Sequence, residues 1–413
     1  MNKTTTENTT FQPAILGVGG YATWLLKYMS RLNDEGLRLV HAVVRSPAKY
    51  PAELEQLKQL HPDCDVLPDL NSLLTAEPKP DLIILPVGIQ HHAAMTIQCL
   101  EAGFPVLVEK PVAATIQDVD AMIAAATRTG LPVFVGFQDI YSPSIRRIKA
   151  LVAEGAIGKP LRGRAMVRWP RGEAYFKRNN WAGKLKSEGE WVLDSVLNNA
   201  TAHFFNILLN LMGEGLHEAT TPLCVESECY RAYDIETFDT VCLRLKLREG
   251  GVIHYYATHA SEENLDPVLE VEYEKAIVKW TFAANVGTTV VMWKDGAEER
   301  FDNGPEHPAV AMLRDVRNKV EHKNEGCATL ANSRVHTLIV NALSEGRDHV
   351  VPLKEGDYLK TGDPEVRYIP GLDALMEKAY AEGKLFSQCG VHWAQQPQIF
   401  GLMNYTHFPF TSL

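Results

Sequence analysis

The chain has 413 residues, 46% of them apolar and 22% charged, a balance that provides for a large buried core and excludes disorder over most of its length. At roughly 100–200 residues per domain it is long enough for two or three domains. With 41 Lys and Arg against 51 Asp and Glu the formal charge is −10, the wrong sign for a surface that follows phosphate backbones, so nucleic acid is a poor partner.

Met1 to Thr10 is polar and Thr-rich, without the apolar stretch of a secretory signal, and no later run reaches the roughly 18 apolar residues that span a bilayer. No membrane partner is expected, and a cytoplasmic location is. From Ala14 to about Gly136, apolar β-rich runs alternate with helical patterns, as in βαβ units with a parallel sheet. Strands are predicted at Ala14–Val18, Leu39–Val44, Leu82–Pro86, Pro105–Val108 and Val133–Phe137, with a helix from His92 to Ala102 that ends at Gly103. Residues 1–140 thus read as a doubly wound, Rossmann-type domain.

After Pro143 a helix is expected from Ser144 to Glu154, then a turn at Gly158-Lys-Pro160 and a segment rich in aromatic and basic residues to Lys186. From Leu223 to Trp293 the sequence alternates in strand fashion, punctuated at Glu249-Gly-Gly251 and Asp295-Gly296, which predicts an antiparallel meander. Residues 141–413 therefore read as a second α/β domain with a large, open, mainly antiparallel sheet, ending in a helix and a tail. An open sheet face needs a cover, so a homo-oligomer, dimer or tetramer, is expected to form through it. The tail, Trp393 to Leu413, is too apolar to be free and is expected to dock on a neighbouring subunit or on the domain's own flank. Seven cysteines without a CxxC pair read as free thiols, and no metal site is expected. Cys224 and Cys229 have no nearby partners to complete a ligand set.

Gly17-Val-Gly-Gly-Tyr-Ala22 is a GxGxxA turn between the first strand and a helix. Gly17 permits the tight turn, Gly19 admits a pyrophosphate, and Ala22 lets helix and strand pack closely, with Gly20 and Tyr21 in the same cradle. A carboxylate at the end of the second strand pairs with a ribose 2′-hydroxyl, whereas a cation accommodates a 2′-phosphate. Here Arg45-Ser46 stands at that end with Lys49 just beyond and no acid, which favours NADP over NAD. Glu109-Lys110-Pro111 ends a strand that points toward the same crevice, so Lys110 can meet nicotinamide and substrate. Aromatic, cationic and amide side chains in Tyr175-Phe-Lys-Arg-Asn-Asn-Trp-Ala-Gly-Lys184 suit a pyranose, which stacks its CH face and bonds through its hydroxyls. Arg178, Asn180, Trp181 and Lys184 are the candidate substrate contacts, a Trp- and Arg-rich interface being the alternative.

Taken with Val135-Gly-Phe137, Ser142-Pro143 and Glu154-Gly-Ala-Ile-Gly-Lys-Pro160, these motifs resemble the Gfo/Idh/MocA oxidoreductases over residues 13 to 300. The resemblance implies a Rossmann domain, a C-terminal open sheet and reversible oxidation of a sugar or polyol hydroxyl. The family pairs an Asp with a His four residues on. Asp194 would set Asn198 at the His position, whereas anchoring on Leu211-Met-Gly213 places Asn199 and His203 there. The second placement makes His203 the general base and Asn199 an uncharged substrate contact. Val87 and His92 fall where relatives contact the cofactor, and Gln138 follows Gly136-Phe137 on the nicotinamide side. Two other readings remain open: a redox-assisted glycosidase or lyase that recycles its cofactor, and a non-catalytic dinucleotide or sugar sensor.

Overall fold

The structure, a computed structural model, describes residues 10–283, 286–322, 328–354, 356–361 and 365–409. It resolves into two compact units. The first holds a six-stranded, wholly parallel sheet in the order Asp65–Leu67, His41–Val43, Pro13–Leu16, Leu82–Leu85, Val106–Val108, Val133–Val135. That order reverses between Pro13–Leu16 and Leu82–Leu85, which opens the crevice where doubly wound sheets bind ligands. Leu82-Ile-Ile-Leu85 is buried throughout, as a strand covered on both faces must be. The edge strand Asp65–Leu67 was not expected; it is three residues long and largely exposed, too short to show a hydrophobic pattern.

The division between units also differs from a single boundary at 140. Residues 306–330 return to the first unit, where helix Pro308–His322 packs on helix Ala22–Ser30 and on the turn Gln138–Tyr141. The Arg314 guanidinium forks onto Glu35 at 2.7 and 2.8 Å and reaches Glu306 at 2.7 Å, and His307 stacks on Tyr28. Conversely, residues 113–120 go with the second unit, held by Asn341, which bonds the Ile116 amide and the Ala114 carbonyl.

The second unit is built on a ten-stranded mixed sheet. Its antiparallel run, Pro222–Arg231 to Glu298–Asp302, is interrupted by Pro160–Arg168, which inserts parallel to Val252–Thr258 and antiparallel to Leu265–Tyr273. That strand lay unrecognised in the basic segment. One sheet face packs on helices Pro143–Ala153 and Ala202–Leu211. The other, expected to stay open for a second copy, is filled at one end by the chain itself. Helix Leu372–Glu382 and residues 385–394 bury Tyr256, Cys242, Met166 and Tyr230 there, because this stretch of the face is apolar. The tail docks on its own unit: Gln398–Gly401 pairs with Cys224–Ser227, and the Gln117 side-chain amide donates to the Phe408 carbonyl and accepts from the Phe408 amide. Residues 410–413 lie outside the described residues, as does Cys327. The other six cysteines are free thiols.

Candidate active site

In the first unit the glycine-rich turn takes the shape its sequence requires, with Gly17 and Gly20 at φ +98 and +60. Ala22 is fully buried under the helix it begins, and no side chain caps that helix, which leaves its N-terminus to an anion. The Tyr21 hydroxyl donates to Gln138 Oε1 at 2.5 Å, joining the turn to the exit of the last strand. Although Tyr21 is 37% exposed, partial burial of its hydroxyl end and the neighbouring Glu109 and Asp139 carboxylates raise its phenol above the ordinary range. Glu109 is buried. Its Oε2 accepts from the Lys110 amide, whereas Oε1 has no partner. Burial pushes its carboxyl up, against the pull of the Lys110 charge and amide. A Cβ on Gly136 would stand 2.6 Å from Oε1, so a side chain there would have to displace the Glu109 carboxylate. Lys110 itself emerges partly exposed. Three segments far apart in sequence thus meet at one crevice.

Arg45, Ser46 and Lys49 are exposed beyond the second strand. Tyr50, which the sequence reading missed, lays its ring against Gly19, 2.7 Å from where a Cβ would be; an aromatic directly after that basic turn was the available signal. Val87 is partly exposed. His92 is buried, with ring nitrogens 2.9 Å from the Pro111 carbonyl and 3.0 Å from that of Val87. Burial lowers its pKa to about 4 against the pull of these carbonyls, so the ring is neutral and donates to only one of them. It braces the Lys110-Pro111 turn from within.

In the second unit, Val196–Ala200 forms a π-helical turn that runs into helix Ala202–Leu211. The Ser195 hydroxyl caps it by accepting from the Asn198 amide at 3.2 Å. From Val196 to Leu211 every residue is buried except Asn199, Ala200 and His203. Asn199 and His203 are four apart in sequence, one in the π-turn and the other in the first turn of the helix, and both side chains are partly exposed. A π-turn at such a place is a common mark of function. Sheet tyrosines fix the helix from beneath: Tyr255 donates to the Thr201 carbonyl at 3.0 Å and Tyr273 to that of Leu211 at 2.9 Å. At its far end the buried Lys149 ammonium donates to the carbonyls of Asn210, Gly213 and Glu218 at 2.7, 2.9 and 3.0 Å. Asp194, the competing anchor, accepts from the Gly183 amide at 2.6 Å, tying the end of the aromatic and basic segment to the residues just before the π-turn.

The candidate substrate contacts are only partly brought together. Arg178 lies over the rings of Tyr175 and Trp181, 3.8 and 5.1 Å from their centroids, and donates to the Tyr175 carbonyl. Asn180 is exposed at the tip of this loop, while Asn179 makes the turn by accepting from the amides of Trp181 and Ala182. Lys184 instead faces a cavity of about 450 Å³ with Phe176, Tyr233, Asp234 and Arg367, and pairs with Glu236 at 3.6 Å. Among the described residues no group of His, Cys, Asp and Glu is placed to hold a metal ion, and no helix is long and apolar enough to cross a membrane.

Gly17 and Gly20 in left-handed conformation, the uncapped helix start and the orphaned Glu109 oxygen, which would accept from a ribose hydroxyl, fit a nicotinamide dinucleotide. The parallel sheet and its glycine-rich turn define a Rossmann-type unit. Residues 11–137 match the model of the oxidoreductase family with an NAD-binding Rossmann fold, and residues 145–279 that of the GFO/IDH/MocA C-terminal domain. The chain belongs to the GFO/IDH/MocA oxidoreductase family. It is 28% identical over 229 residues to the myo-inositol 2-dehydrogenase of Thermotoga maritima, covering 55% of this chain and 63% of that protein. It is 31% identical over 148 residues to the 2,7-anhydro-N-acetylneuraminate hydratase of Mediterraneibacter gnavus, 36% and 37% of the two chains. These matches span less than two thirds of either relative. Among solved structures, the WlbA dehydrogenase of Bordetella pertussis with NADH and UDP-GlcNAcA shares the fold, with TM-score 0.64, 20% identity and coverage of 84% and 99%.

Proposed function

We propose that the protein is an NADP-preferring oxidoreductase that moves hydride between the nicotinamide and a secondary hydroxyl of a sugar, a sugar derivative or a polyol. The observation that supports this reading is that Asn199 and His203 are, with Ala200, the partly exposed residues of an otherwise buried segment from Val196 to Leu211. In this reading His203 takes the proton of the reacting hydroxyl, and Lys110 polarises the same oxygen with its ammonium. Asn199 bonds a neighbouring hydroxyl without bringing a charge. The nicotinamide, when bound, supplies the hydride acceptor. Glu109 holds a ribose hydroxyl with its unpartnered oxygen. The turn of Gly17, Gly19, Gly20 and Tyr21 takes the phosphates through its backbone amides, the Tyr21 side chain taking no part, with Val87 contributing backbone groups. The 2′-phosphate preference rests on exposed Arg45, Ser46 and Lys49 and on the lack of an acid at that strand end. The substrate is met by Arg178, Asn180, Trp181 and Lys184. A second copy would pack on the uncovered part of the sheet face, where Arg162 pairs with Glu272 and Lys246 with Glu226.

Parallel fluorescence titrations of the cofactor-stripped protein with NADPH and NADH test this, followed by a panel of sugars and polyols. Tighter binding of NADPH and accumulation of reduced cofactor with a panel member are the expected results. Binding of neither nucleotide overturns the reading. A second reading, cofactor recycled within an elimination or hydration, is favoured by the similarity to the anhydro-sialate hydratase; product formed without net cofactor reduction would select it.

A further inference from the structure

We propose that Tyr21 is a positioning residue: it fixes the amide of Gln138 so that both Nε2–H bonds face the crevice and one of them binds the carbonyl oxygen of the nicotinamide carboxamide. This rests on the reading above that the crevice takes a nicotinamide dinucleotide.

A glutamine amide has an accepting end and a donating end. The Tyr21 hydroxyl, reaching across 117 residues of sequence, occupies the accepting end at 2.5 Å. What Gln138 has left to offer a ligand is therefore a donor. The phenol cannot abandon its role by ionising, since burial and the carboxylates of Glu109 and Asp139 all oppose a negative charge there. Both ends of the pair are anchored in backbone that cannot slide. Tyr21 stands between left-handed Gly20 and buried Ala22 at the start of its helix. Gln138 opens the short turn Gln138–Tyr141, against which helix Pro308–His322 packs. The pair lies beside Glu109, on the Lys110 side of the crevice rather than the Arg45 side. At that end a dinucleotide presents its carboxamide, whose carbonyl is an acceptor and whose NH₂ is not. A donor fixed in advance selects the rotamer of the carboxamide, and with it the ring face turned to the substrate.

The test compares affinities of the wild type, Tyr21→Phe and Gln138→Glu for four ligands: NADP⁺ or NAD⁺, whichever the wild type prefers, its 3-acetylpyridine and thionicotinamide analogues, and the matching ADP-ribose. The acetyl analogue keeps the carbonyl acceptor and loses the NH₂, whereas the thioamide keeps the NH₂ and offers a poor acceptor. Tyr21→Phe is expected to weaken the parent and acetyl ligands about fivefold to tenfold, the effect of one ordered hydrogen bond. It should leave ADP-ribose unchanged and barely alter the already weaker thio analogue. Gln138→Glu, with no donor, should show the same pattern more strongly. Equal weakening of ADP-ribose would mean that Tyr21 only shapes the phosphate turn, and unchanged binding of the parent would mean that the amide points the other way; either overturns the proposal while the dinucleotide reading stands. A wild type that binds none of the four removes both.

Discussion

Lys149→Met tests whether one buried cation secures the helix that carries His203. Methionine matches the length of lysine and suits the buried site, so what it removes is three charge-assisted hydrogen bonds to Asn210, Gly213 and Glu218. Bonds to a charged group are each worth about 1.5–3 kcal/mol net. Against them stands the cost of burying the ammonium: desolvation lowers the Lys149 pKa from 10.5 to about 8 despite the favourable charge of Glu218, a penalty of roughly 3 kcal/mol at 1.36 kcal/mol per unit. The difference leaves a net loss of about 3 kcal/mol for the variant, near the middle of the range these figures allow. In a unit of this size that corresponds to a fall in Tm of about 6–12 °C. Thermal and urea unfolding followed by circular dichroism measure it, and titration with NADPH provides the control, since the dinucleotide turn lies in the other unit and its affinity should hold. A Tm within 2 °C of wild type would refute the reasoning, by showing that water or a shift of residues 213–218 satisfies the carbonyls as well as lysine does.

His203→Gln should lower kcat by about 10²- to 10⁴-fold, the usual contribution of a general base, with the NADPH dissociation constant unchanged; equal losses in both would make the residue structural. Arg45→Ala should weaken NADPH by tenfold or more, about 1.4 kcal/mol, and leave NADH within twofold; parallel titrations decide it. Buried, neutral His92, His254 and His259 have pKa values lowered by burial to about 4, 4 and 3, so the unfolded chain binds more protons than the folded one below the ordinary histidine pKa. Their stabilisation is therefore complete above about pH 6.5 and is lost as the pH falls toward 4. His254 has no hydrogen bond on either ring nitrogen and lies parallel to Tyr256, so His254→Phe should flatten the slope of stability against pH in that window by about one proton, or 1.4 kcal/mol per pH unit. An unchanged slope would place the protonation elsewhere.

How far the sequence revealed this protein depended on whether a feature was local. The alternation of buried strands with helices and the Gly17–Ala22 turn carry their patterns within a few residues, and the parallel sheet follows from them. Asn199 and His203 were proposed from their spacing to Leu211-Met-Gly213, a local reading that could not foresee the π-turn Val196–Ala200 ahead of helix Ala202–Leu211. The packing of His92 was not legible because its partners are backbone carbonyls, and no sequence pattern encodes which carbonyls a fold will bring to a ring. The return of Pro308–His322 to the first unit depends on Arg314 finding Glu35, 279 residues away. Strand Pro160–Arg168 was hidden for a different reason: its outward positions carry Arg162, Arg164 and Arg168, so its alternation reads as a basic loop. Those arginines then meet Glu272, Glu270 and Asp373. The cover over the sheet was invisible likewise, since the apolar residues of Leu372–Glu382 do not declare what they bury.

The pairing of Gln398–Gly401 with Cys224–Ser227, beside that of Val351–Pro352 with Tyr230–Arg231, gives the last long strand of the large sheet a finished edge. Without the tail, the amides and carbonyls along Cys224–Ser227 would form a template for any extended segment, and such templates seed aggregates. Removing residues 395–413 should therefore cost solubility before it costs catalysis. A tag or fusion at this end would act on the colloidal behaviour of the protein rather than on its chemistry.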